Sequence, residues 1–369
     1  MPKYSANDFD IPKIVDYDQF VIEDYEYTNK KGEKKSGKRT VRNHFSEQFV
    51  DFKANFDKCR VSYMHHRFEI KNDVYRWPLI LNDSKLGYVF HMDYSENISC
   101  TPKFEPQDAH FSGKQTSLHC NVIRKPYLPK DQQYYAYHFS DRKIHGSVYT
   151  MSVMKDLLRI CPDYSDYQIL RFKSDNCATQ YCCLHTFKAV LKMAMDLKIP
   201  IMLYYGVNGH GRGLVDAMSG FGVKGPLRKM VITSDFYFKT ATELEDRLKE
   251  EFRDCPNRIY TTLDEDELNK MLKARGPGLP IPGCRKARMI YFGIDGSYRI
   301  KNTLCSCESC SIGDFDQCKE GDDLNIELEP AFEQEMVELD EMDSAPQVGD
   351  RYNFTKEGGY VGLYSCTHF

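Results

Sequence analysis

The sequence predicts an α/β fold, with a mixed β-sheet flanked by helices. Between residues 85 and 235, short apolar or alternating segments typical of strands are interleaved with longer segments of helical period. One of the short segments, Pro200–Tyr205, is apolar throughout after its proline, as expected of a central strand covered on both faces. No apolar run reaches the roughly 20 residues of a membrane helix. The 25 Tyr and 22 Phe are typical of a chain with a large core rather than of a disordered chain.

The predicted elements follow one another as three strands, a helix, a strand, a helix, a strand and a helix. This is the element order of an RNase H-like domain, in which the first and fourth strands are neighbours, and it covers residues 85–235. The predicted strands are Lys85–Asp93, Gln115–Ile123, Gln133–Phe139, Tyr167–Ser174 and Pro200–Tyr205, and the predicted helices are Val148–Ile160, Thr179–Leu197 and Gly213–Lys229.

Residues 1–84 form a basic and helical N-terminal region in this prediction. Residues 1–43 are polar, rich in tyrosine and then basic, and we expect them to be weakly structured. A helical spacing follows over His44–Asn72, and Trp77-Pro78 interrupts it.

Residues 236–320 form an α+β region that ends in a group of cysteines. Helical patterns cover Thr240–Phe252 and Leu263–Ala274, and Asp295-Gly296 is a strong turn signal for a small hairpin that leads into the cysteines. Residues 321–369 are an acidic tail with the possible start of a small β module.

The charge of the chain is distributed unevenly. The formal net charge is −4, but Gly321–Ala345 contains ten acidic residues and no Lys or Arg, so the rest of the chain carries +6. At the opposite extreme, Lys30–Arg42 contains seven basic residues and one Glu. A basic arm and an acidic tail in one chain are typical of proteins that handle nucleic acid, although either run is equally typical of a solvated, disordered segment.

Three aspartates occupy positions that favour binding of hard divalent cations. Asp93 and Asp175 each end a predicted strand, and Asp216 lies on the helix after the fifth strand. Mg²⁺ and Mn²⁺ prefer oxygen ligands, and two such ions about 3.5–4 Å apart can activate an attacking oxygen and stabilise a leaving one. In this interpretation Asp93 bridges both ions, and Asp175 and Asp216 each hold one. An aspartate at the end of a strand is also common as a turn former or helix cap.

Three further residues are candidates for supporting roles. Glu96, three residues after Asp93, could support the metal ligands or contact substrate, although a surface role is the more common one. His210 and Arg212 lie in a glycine-rich segment whose backbone could approach a phosphate closely, so they would face the scissile phosphate. The alternative is a flexible turn with an incidental histidine.

These segments resemble the catalytic blocks of DDE-type transposases. The resemblance is carried by His91–Asn97 (HMDYSEN), Ser174–Tyr181 (SDNCATQY) and Gly209–Asp216 (GHGRGLVD), with Gln107–His110 and Gln115–His119 as intervening blocks. It covers residues 85–320, and transposon-derived proteins of this kind read MDYSEN, SDGxxxQY and GHGKGxxD.

The resemblance implies a cut-and-paste transposase core of RNase H fold. Its catalytic residues would be Asp93, Asp175 and Asp216, its cofactor two Mg²⁺ or Mn²⁺ ions, and its substrates transposon ends and target DNA. A nuclear, intracellular location and a homo-oligomer with no membrane partner are expected with it. Two departures are that Asn176 replaces the usual glycine and that the third acid is Asp rather than the Glu of many related enzymes.

Two other functions fit the same residues. One is a non-enzymatic DNA-binding protein descended from a transposase. The other is an RNase H-like exonuclease, which would need a fourth carboxylate near the first three, and Glu96 is the nearest candidate in the sequence.

The cysteines predict a second metal site. The chain has 14 cysteines and no signal-peptide pattern, so thiols or metal ligands are expected rather than disulfides. Four thiolates are enough for one tetrahedral zinc, with Cys284 as a substitute ligand. We expect Cys182-Cys183, and Cys59 with His65-His66, to be packed residues rather than ligands. The predicted zinc ligands are Cys305, Cys307, Cys310 and Cys318.

Overall fold

The computed structural model describes residues 14–28, 32–82, 87–99, 115–125, 133–142, 145–207, 214–234 and 236–318. The chain divides into two compact units, one made of residues 1–68 with 324–369 and the other of residues 69–323. Within the described ranges, no helix is long and apolar enough to cross a membrane. The acidic tail, His210 and Arg212 lie outside the described residues.

The first unit contains a long antiparallel hairpin. Strand β1 (Ile14–Thr28) pairs with β2 (Lys34–Gln48) along its whole length. Helix α1 (Phe49–Asn82) follows, and it belongs to this unit as far as Phe68. On the hairpin side of α1, Tyr17 packs against the ring of Phe52, with 5.1 Å between ring centroids.

For residues 14–28 and 34–43, the hairpin corrects the expectation of weak structure. The basic run is paired with an acidic strand: Glu23 lies opposite Arg39, and Asp24 lies opposite Lys38. Glu23 and Arg39 form an ion pair of 3.6 Å. Each pair of opposite charges across antiparallel strands stabilises the pairing by about 0.2–1 kcal/mol. The sequence of the basic run alone does not show this stabilisation, because the acidic partners are on the other strand. From Lys34 onward the basic run is therefore a strand with partly compensated charge, and the described part of the N-terminal region is not simply helical.

The helix also departs from prediction, because α1 runs through Pro78 to Asn82 without ending at Trp77-Pro78. Proline removes one helical hydrogen bond and crowds the preceding turn, but it does not always end a helix. Here the last turns of α1 are anchored in the second unit. Ile80 is buried in an apolar cluster with Met202 and Met289, so packing outweighs the local preference.

The second unit is built on an eight-stranded mixed sheet. Strands β3 to β5 form an antiparallel meander, and β6 and β7 run parallel to β3 on its other side. The order across the sheet is β10-β9-β7-β6-β3-β4-β5-β8. The strands are β3 (Val89–Ser99), β4 (Gln115–Arg124), β5 (Tyr134–Ser140), β6 (Leu170–Ser174), β7 (Ile201–Tyr205), β8 (Arg258–Thr262), β9 (Met289–Phe292) and β10 (Tyr298–Lys301).

Helices cover both faces of the sheet. They are α2 (Ser147–Ile160), α3 (Leu184–Leu197), α4 (Leu214–Ser219), α5 (Gly225–Ser234) after a π-helical turn (Gly220–Lys224), α6 (Ala241–Glu251), α7 (Glu265–Lys273) and the short α8 (Glu308–Ser311). One face carries α2, α3 and α7, which bury an apolar core centred on Phe90 and Phe172. The opposite face carries α4, α5 and α6 over β4, β5 and β8. The fold class is therefore α/β, a mixed sheet flanked by helices, as predicted.

The region after residue 235 shares this sheet. The predicted hairpin is present as β9 and β10, with Gly296 at φ 83° in its turn. β9 also pairs with β7, and β8, which the sequence reading missed, pairs with β5 at the other edge. Elements before and after residue 235 thus share one sheet, and β9 and β10 are part of it.

Candidate functional site

Strand register places Asp93 and Asp175 side by side. β3 and β6 are parallel neighbours, and His91 lies opposite Lys173. Two residues further along each strand are the two aspartates, and neighbouring strands are about 4.8 Å apart. Asp175 follows directly on the end of β6 at Ser174, whereas β3 continues beyond Asp93. The prediction that Asp93 ends its strand is therefore wrong, although the two aspartates are neighbours as expected.

Helix α4 brings Asp216 to the same place. Val215 and Met218 are fully buried against the sheet, which fixes the rotation of the helix. Asp216, in the first turn of α4, hydrogen-bonds the carboxyl group of Asp93. The structure thus brings together the three aspartates that the sequence singled out.

The electrostatics of this group are unfavourable when no cation is bound. Burial, followed by the nearby charges of Asp175 and Asp216, raises the pKa of Asp93 from 3.8 to about 8. Asp175 is exposed at the rim, yet desolvation of its carboxyl group and the charge of Asp216 raise its pKa as well. A carboxyl group held against two others keeps its proton at neutral pH unless a positive charge is supplied. Divalent cations supply such a charge.

The three aspartate carboxylates are spaced more widely than the ligands of a single small ion. Among the described residues, the four cysteines discussed below are the one group of three or more such side chains whose ligand atoms all lie within 4.8 Å of one another. The three aspartate carboxylates are therefore more widely spread. The ligands on opposite sides of one Mg²⁺ ion are only about 4.2 Å apart, given Mg–O bonds of about 2.1 Å.

The candidate supporting residues fall in different places. Glu96 is exposed and pairs with Lys224, with 3.3 Å from Oε2 to Nζ. Glu96, near the end of β3, is therefore paired with a lysine of the π-helical turn. His210 and Arg212 stay predictions, since they lie outside the described residues.

The sequence reading missed a cation beside the aspartates. Lys173 is partly buried on the same face of β6 as Asp175, and its Nζ lies 4.1 Å from the centroid of the Trp77 ring. Burial, and to a lesser extent nearby arginines, lowers its pKa to about 8. Its strand partner His91 is buried against the same Trp77 ring, and desolvation lowers the pKa of His91 well below 6.5. The signal available in the sequence was the two-residue spacing from Lys173 to Asp175.

A buried aromatic and imidazole cluster lies on the other face of the sheet. The Tyr181 hydroxyl and His119 Nε2 are 2.9 Å apart, and the Tyr94 ring meets the His119 ring edge-on at 4.5 Å. Tyr94 also stacks on His145 at 4.6 Å. Tyr94 directly follows Asp93 in the sequence, so the cluster anchors the strand residue next to that acid.

The four predicted zinc ligands converge. The sulfurs of Cys305 and Cys318 are 3.8 Å apart, and those of Cys307 and Cys318 are 3.9 Å apart. Four sulfurs at about 2.3 Å from one zinc would be about 3.8 Å from one another, so the spacing suits a tetrahedral ion. It is too wide for a disulfide, which needs about 2.05 Å. Hydrogen bonding from Cys310, then from Cys307 and Cys318, lowers the pKa of Cys305 to about 6 against the effect of its burial.

The cysteine cluster is attached to the end of α1. Asn72 donates a hydrogen bond to the carbonyl oxygen of Leu304 at 2.8 Å, and Arg76 donates to Ser306 Oγ at 3.4 Å. Leu304 and Cys305 are buried with Ile80 in one apolar cluster. These contacts join the segment after β10 to helix α1, which carries Trp77.

The other cysteine and histidine candidates do not join this site. Cys284 lies elsewhere, where its carbonyl oxygen accepts a hydrogen bond from the Cys182 thiol at 3.3 Å, so it is not a substitute ligand. Within the described ranges, Cys59, His65 and His66 form no metal-ligating group of three or more side chains.

Comparison with known families places the domain. A family described as a domain of unknown function, DUF8701, matches residues 82–302. The chain belongs to this family. The DUF8701 domain includes Asp93, Asp175 and Asp216, and the match ends before Cys305. Neither the comparison with curated proteins nor that with solved structures gave a match.

Proposed function

We propose that this DUF8701 protein is a DDE-type transposase-like nuclease and strand transferase that acts on DNA. The observation that carries the proposal is the convergence of Asp93, Asp175 and Asp216, in which the pKa of Asp93 is raised to about 8 by burial and by the other two acids. A carboxyl group whose pKa is raised in this way by burial and by neighbouring acids is typical of a functional site.

The topology supports an RNase H-like identity for the domain. A meander of three antiparallel strands is followed by two strands parallel to the first, and the first and fourth strands of this set, β3 and β6, are neighbours. This is the arrangement that the resemblance to DDE-type transposases implies. β8, β9 and β10 extend the sheet beyond that core at both edges.

The aspartates have distinct roles in the proposed mechanism. Asp93 interacts with both of the other acids, so it would bridge two ions, with Asp175 and Asp216 holding one each. Bound Mg²⁺ or Mn²⁺ would supply Lewis-acid stabilisation of the attacking and leaving oxygens. Water would attack the phosphorus at the element end, breaking the P–O3′ bond and leaving a 5′-phosphate and a 3′-hydroxyl that takes a proton from the water. That 3′-hydroxyl would then attack a phosphodiester of the target, breaking the target P–O3′ bond and passing its proton to the released target 3′-oxygen by way of solvent. The chain itself mainly positions the phosphate and neutralises its charge.

Cutting of DNA tests the proposal. Purified protein is incubated with an end-labelled duplex in Mg²⁺, Mn²⁺, Ca²⁺ or EDTA. We expect cleavage in Mg²⁺ or Mn²⁺ and none in EDTA, and loss of cleavage in Asp93→Asn, Asp175→Asn and Asp216→Asn. The exposed Asp166 supplies a matched control, since Asp166→Asn removes the same charge at a position away from the three acids.

The pattern of products separates the alternatives. Binding of DNA without metal-dependent cutting would favour a non-enzymatic DNA-binding protein and contradict the nuclease. Processive digestion from an end, rather than nicking and joining, would favour an exonuclease. Cleavage that survives all three Asp→Asn substitutions would show that the aspartates are not the catalytic site.

We also propose that the cysteine cluster binds one structural zinc ion. Its four thiols, their spacing of 3.8 and 3.9 Å, and the partial burial of the group suit a closed tetrahedral site with no open position. Such a site would hold the segment after β10 against α1. Measurement of metal content by mass spectrometry, on protein purified without chelators, should give one zinc per chain.

A further inference from the structure

Lys173 occupies a defined place in the candidate active site. Residues two apart on a strand point to the same face, so Lys173 lies on the same side of the sheet as Asp175. Its neighbour on the adjacent strand β3 is His91, which lies two residues before Asp93. The cation is therefore about 6.6 Å back along the strand from the pair of acids, because parallel strands rise about 3.3 Å per residue.

Lys173 has no ion pair or hydrogen bond within the described part of the chain. Its ammonium lies over the face of Trp77, 4.1 Å from Nζ to the ring centroid. Asp73 is the carboxylate whose charge acts on it most strongly, but both oxygens of Asp73 are engaged. One pairs with Arg288, and the other accepts a hydrogen bond from the backbone N–H of Val207 at 3.3 Å.

A second cation on the same face of β6, Arg171, has a structural role and serves as a comparison. Arg171 is almost completely buried, and its guanidinium donates to the carbonyl oxygens of Ile80 at 2.7 Å and Gly87 at 2.6 Å. These bonds tie β6 to α1 and to the start of β3. Lys173, two residues on, has no equivalent bonds although it is largely removed from water. Lysines largely removed from water are usually paired with an anion, so an anionic group of a ligand is a suitable partner for this ammonium.

Charges of both signs surround the Lys173 ammonium. Arg124 and Arg288 lie near enough to repel the Lys173 ammonium, while Asp73 and Asp216 attract it. Asp73 is compensated by Arg288, and Asp216 belongs to the aspartate group. Beside the acids the face therefore carries two cations, Lys173 and Arg124, in addition to the Asp73–Arg288 pair, and the Lys173 ammonium lies over the ring of Trp77.

We propose that Lys173 binds a backbone phosphate of the nucleic acid substrate, adjacent to the phosphate that reacts at the aspartates. This inference rests on the proposed nuclease function and adds a substrate-binding residue to it. Ammonium groups bind phosphate as compact point charges, without the planar geometry that arginine requires. The aromatic face of Trp77 holds the ammonium in position when no phosphate is present.

DNA affinity tests the proposal without relying on cleavage. Binding of a fluorescent duplex is measured by anisotropy in Ca²⁺, across a series of salt concentrations, for wild type and Lys173→Met. We expect the slope of log K against log salt to fall by about one and the affinity to fall for every duplex sequence. Lys173→Arg keeps the charge and should retain most of the slope.

Lys192→Met is the matched control. Lys192 is an exposed residue on α3, on the opposite face of the sheet, and it forms an ion pair of 3.0 Å with Asp196. Its replacement removes the same charge, and we expect the salt slope to stay unchanged. If Lys173→Met and Lys192→Met lowered the affinity and the salt slope equally, the loss of one positive charge would explain the effect, and the proposal would be overturned.

A measurement on the unmodified protein covers the case in which Lys173→Met fails to fold. Trp77 is the single tryptophan of the chain, and the Lys173 ammonium lies over its ring. The fluorescence emission of the protein therefore responds to ligand binding at Lys173. We expect duplex binding to change the intensity of Trp77 emission. Binding and metal-dependent cutting with no change in emission, or with an unaltered salt slope in Lys173→Met, would overturn the role of Lys173 and leave the nuclease intact. Failure of the wild-type protein to bind DNA would overturn both.

Discussion

Asp216 hydrogen-bonds Asp93 across the gap between a helix and a strand that are far apart in the sequence. Two carboxyl groups can share a hydrogen bond only if one of them keeps a proton, and burial with repulsion gives Asp93 that role. The same pair would release its proton to bind a divalent ion, because metal ligation needs the carboxylate. Proton and metal therefore compete at Asp93, and this competition can be measured without knowing the substrate.

The stabilising effect of Mg²⁺ should grow with pH. Below about pH 8 Asp93 holds a proton that the ion must displace, and above it the carboxylate is free. We expect thermal unfolding to show a larger increase in Tm on addition of Mg²⁺ at pH 9 than at pH 6. An equal shift at both values, or the same shift in Asp93→Asn, would contradict binding at this site.

The metal-free protein should lose stability as pH rises from about 4 to about 8. The pKa of Asp93 is 3.8 in the reference state and about 8 when folded, so over this window the folded state binds a proton that the unfolded state has released. Stability from this group is full below the lower value and is lost as pH rises through the upper one. We expect Asp93→Asn in EDTA to have a flatter dependence of unfolding free energy on pH, measured by urea denaturation, while Asp166→Asn keeps the wild-type curve.

The sequence predicted the core strands, their order and the three acids because these depend on local signals. Alternation and apolar runs define strands, and an acid after such a run is visible in one dimension. Lys173 was missed because a lysine within a strand is usually an exposed residue of the alternating pattern, and only packing against Trp77 distinguishes it. Likewise, β1 and β2 were missed because each is highly charged. Their opposite charges meet only when the two strands pair in the folded hairpin, which a local sequence pattern does not show.

The edge strands show the same limit. The segment of β8, Arg258–Thr262, is short and polar at its ends, and its pairing with β5 is a tertiary property. The convergence of four cysteines was predictable from their close spacing, whereas the exclusion of Cys284 was not, since that depends on where the chain returns to the sheet.

Loss of one zinc ligand should affect the segment after β10 more than the sheet. Apparent binding free energies of structural zinc are about 10–16 kcal/mol, so removal of a ligand or of the metal costs much of the local stability. We expect Cys318→Ser to abolish stoichiometric zinc and to expose residues 302–318 to hydrogen exchange, with a smaller change in β3 to β5. Cys255→Ser, at a cysteine outside the cluster, is the control. Full zinc content in Cys318→Ser would contradict the assigned ligand set.

Tyr181→Phe should destabilise the domain by leaving a buried ring nitrogen of His119 without its hydrogen-bond partner. The Tyr181 hydroxyl is 2.9 Å from His119 Nε2, and both residues are fully enclosed. An unsatisfied buried polar atom costs about 1–3 kcal/mol. We expect that loss in chemical denaturation, while Tyr237→Phe at an exposed tyrosine changes stability by less than about 0.5 kcal/mol. Equal stabilities would show that the hydroxyl is replaced by solvent.

The π-helical turn after α4 offers a sharper test of how Asp216 is held. A Cβ atom on Gly222 would lie 1.9 Å from the Tyr137 hydroxyl, and the Gly222 carbonyl oxygen accepts a hydrogen bond from Tyr260 at 3.0 Å. Gly222→Ala must therefore displace the turn or the buried Tyr137 ring, which we expect to cost about 1–3 kcal/mol. Gly220, two residues earlier in the same turn, has open space around its Cβ position, so Gly220→Ala should be neutral or slightly stabilising. Because α4 leads directly into this turn, Gly222→Ala should also weaken the Mg²⁺-dependent shift in Tm, and Gly220→Ala should not. If both variants unfolded at the same denaturant concentration as wild type, the close packing of the turn on Tyr137 would be wrong.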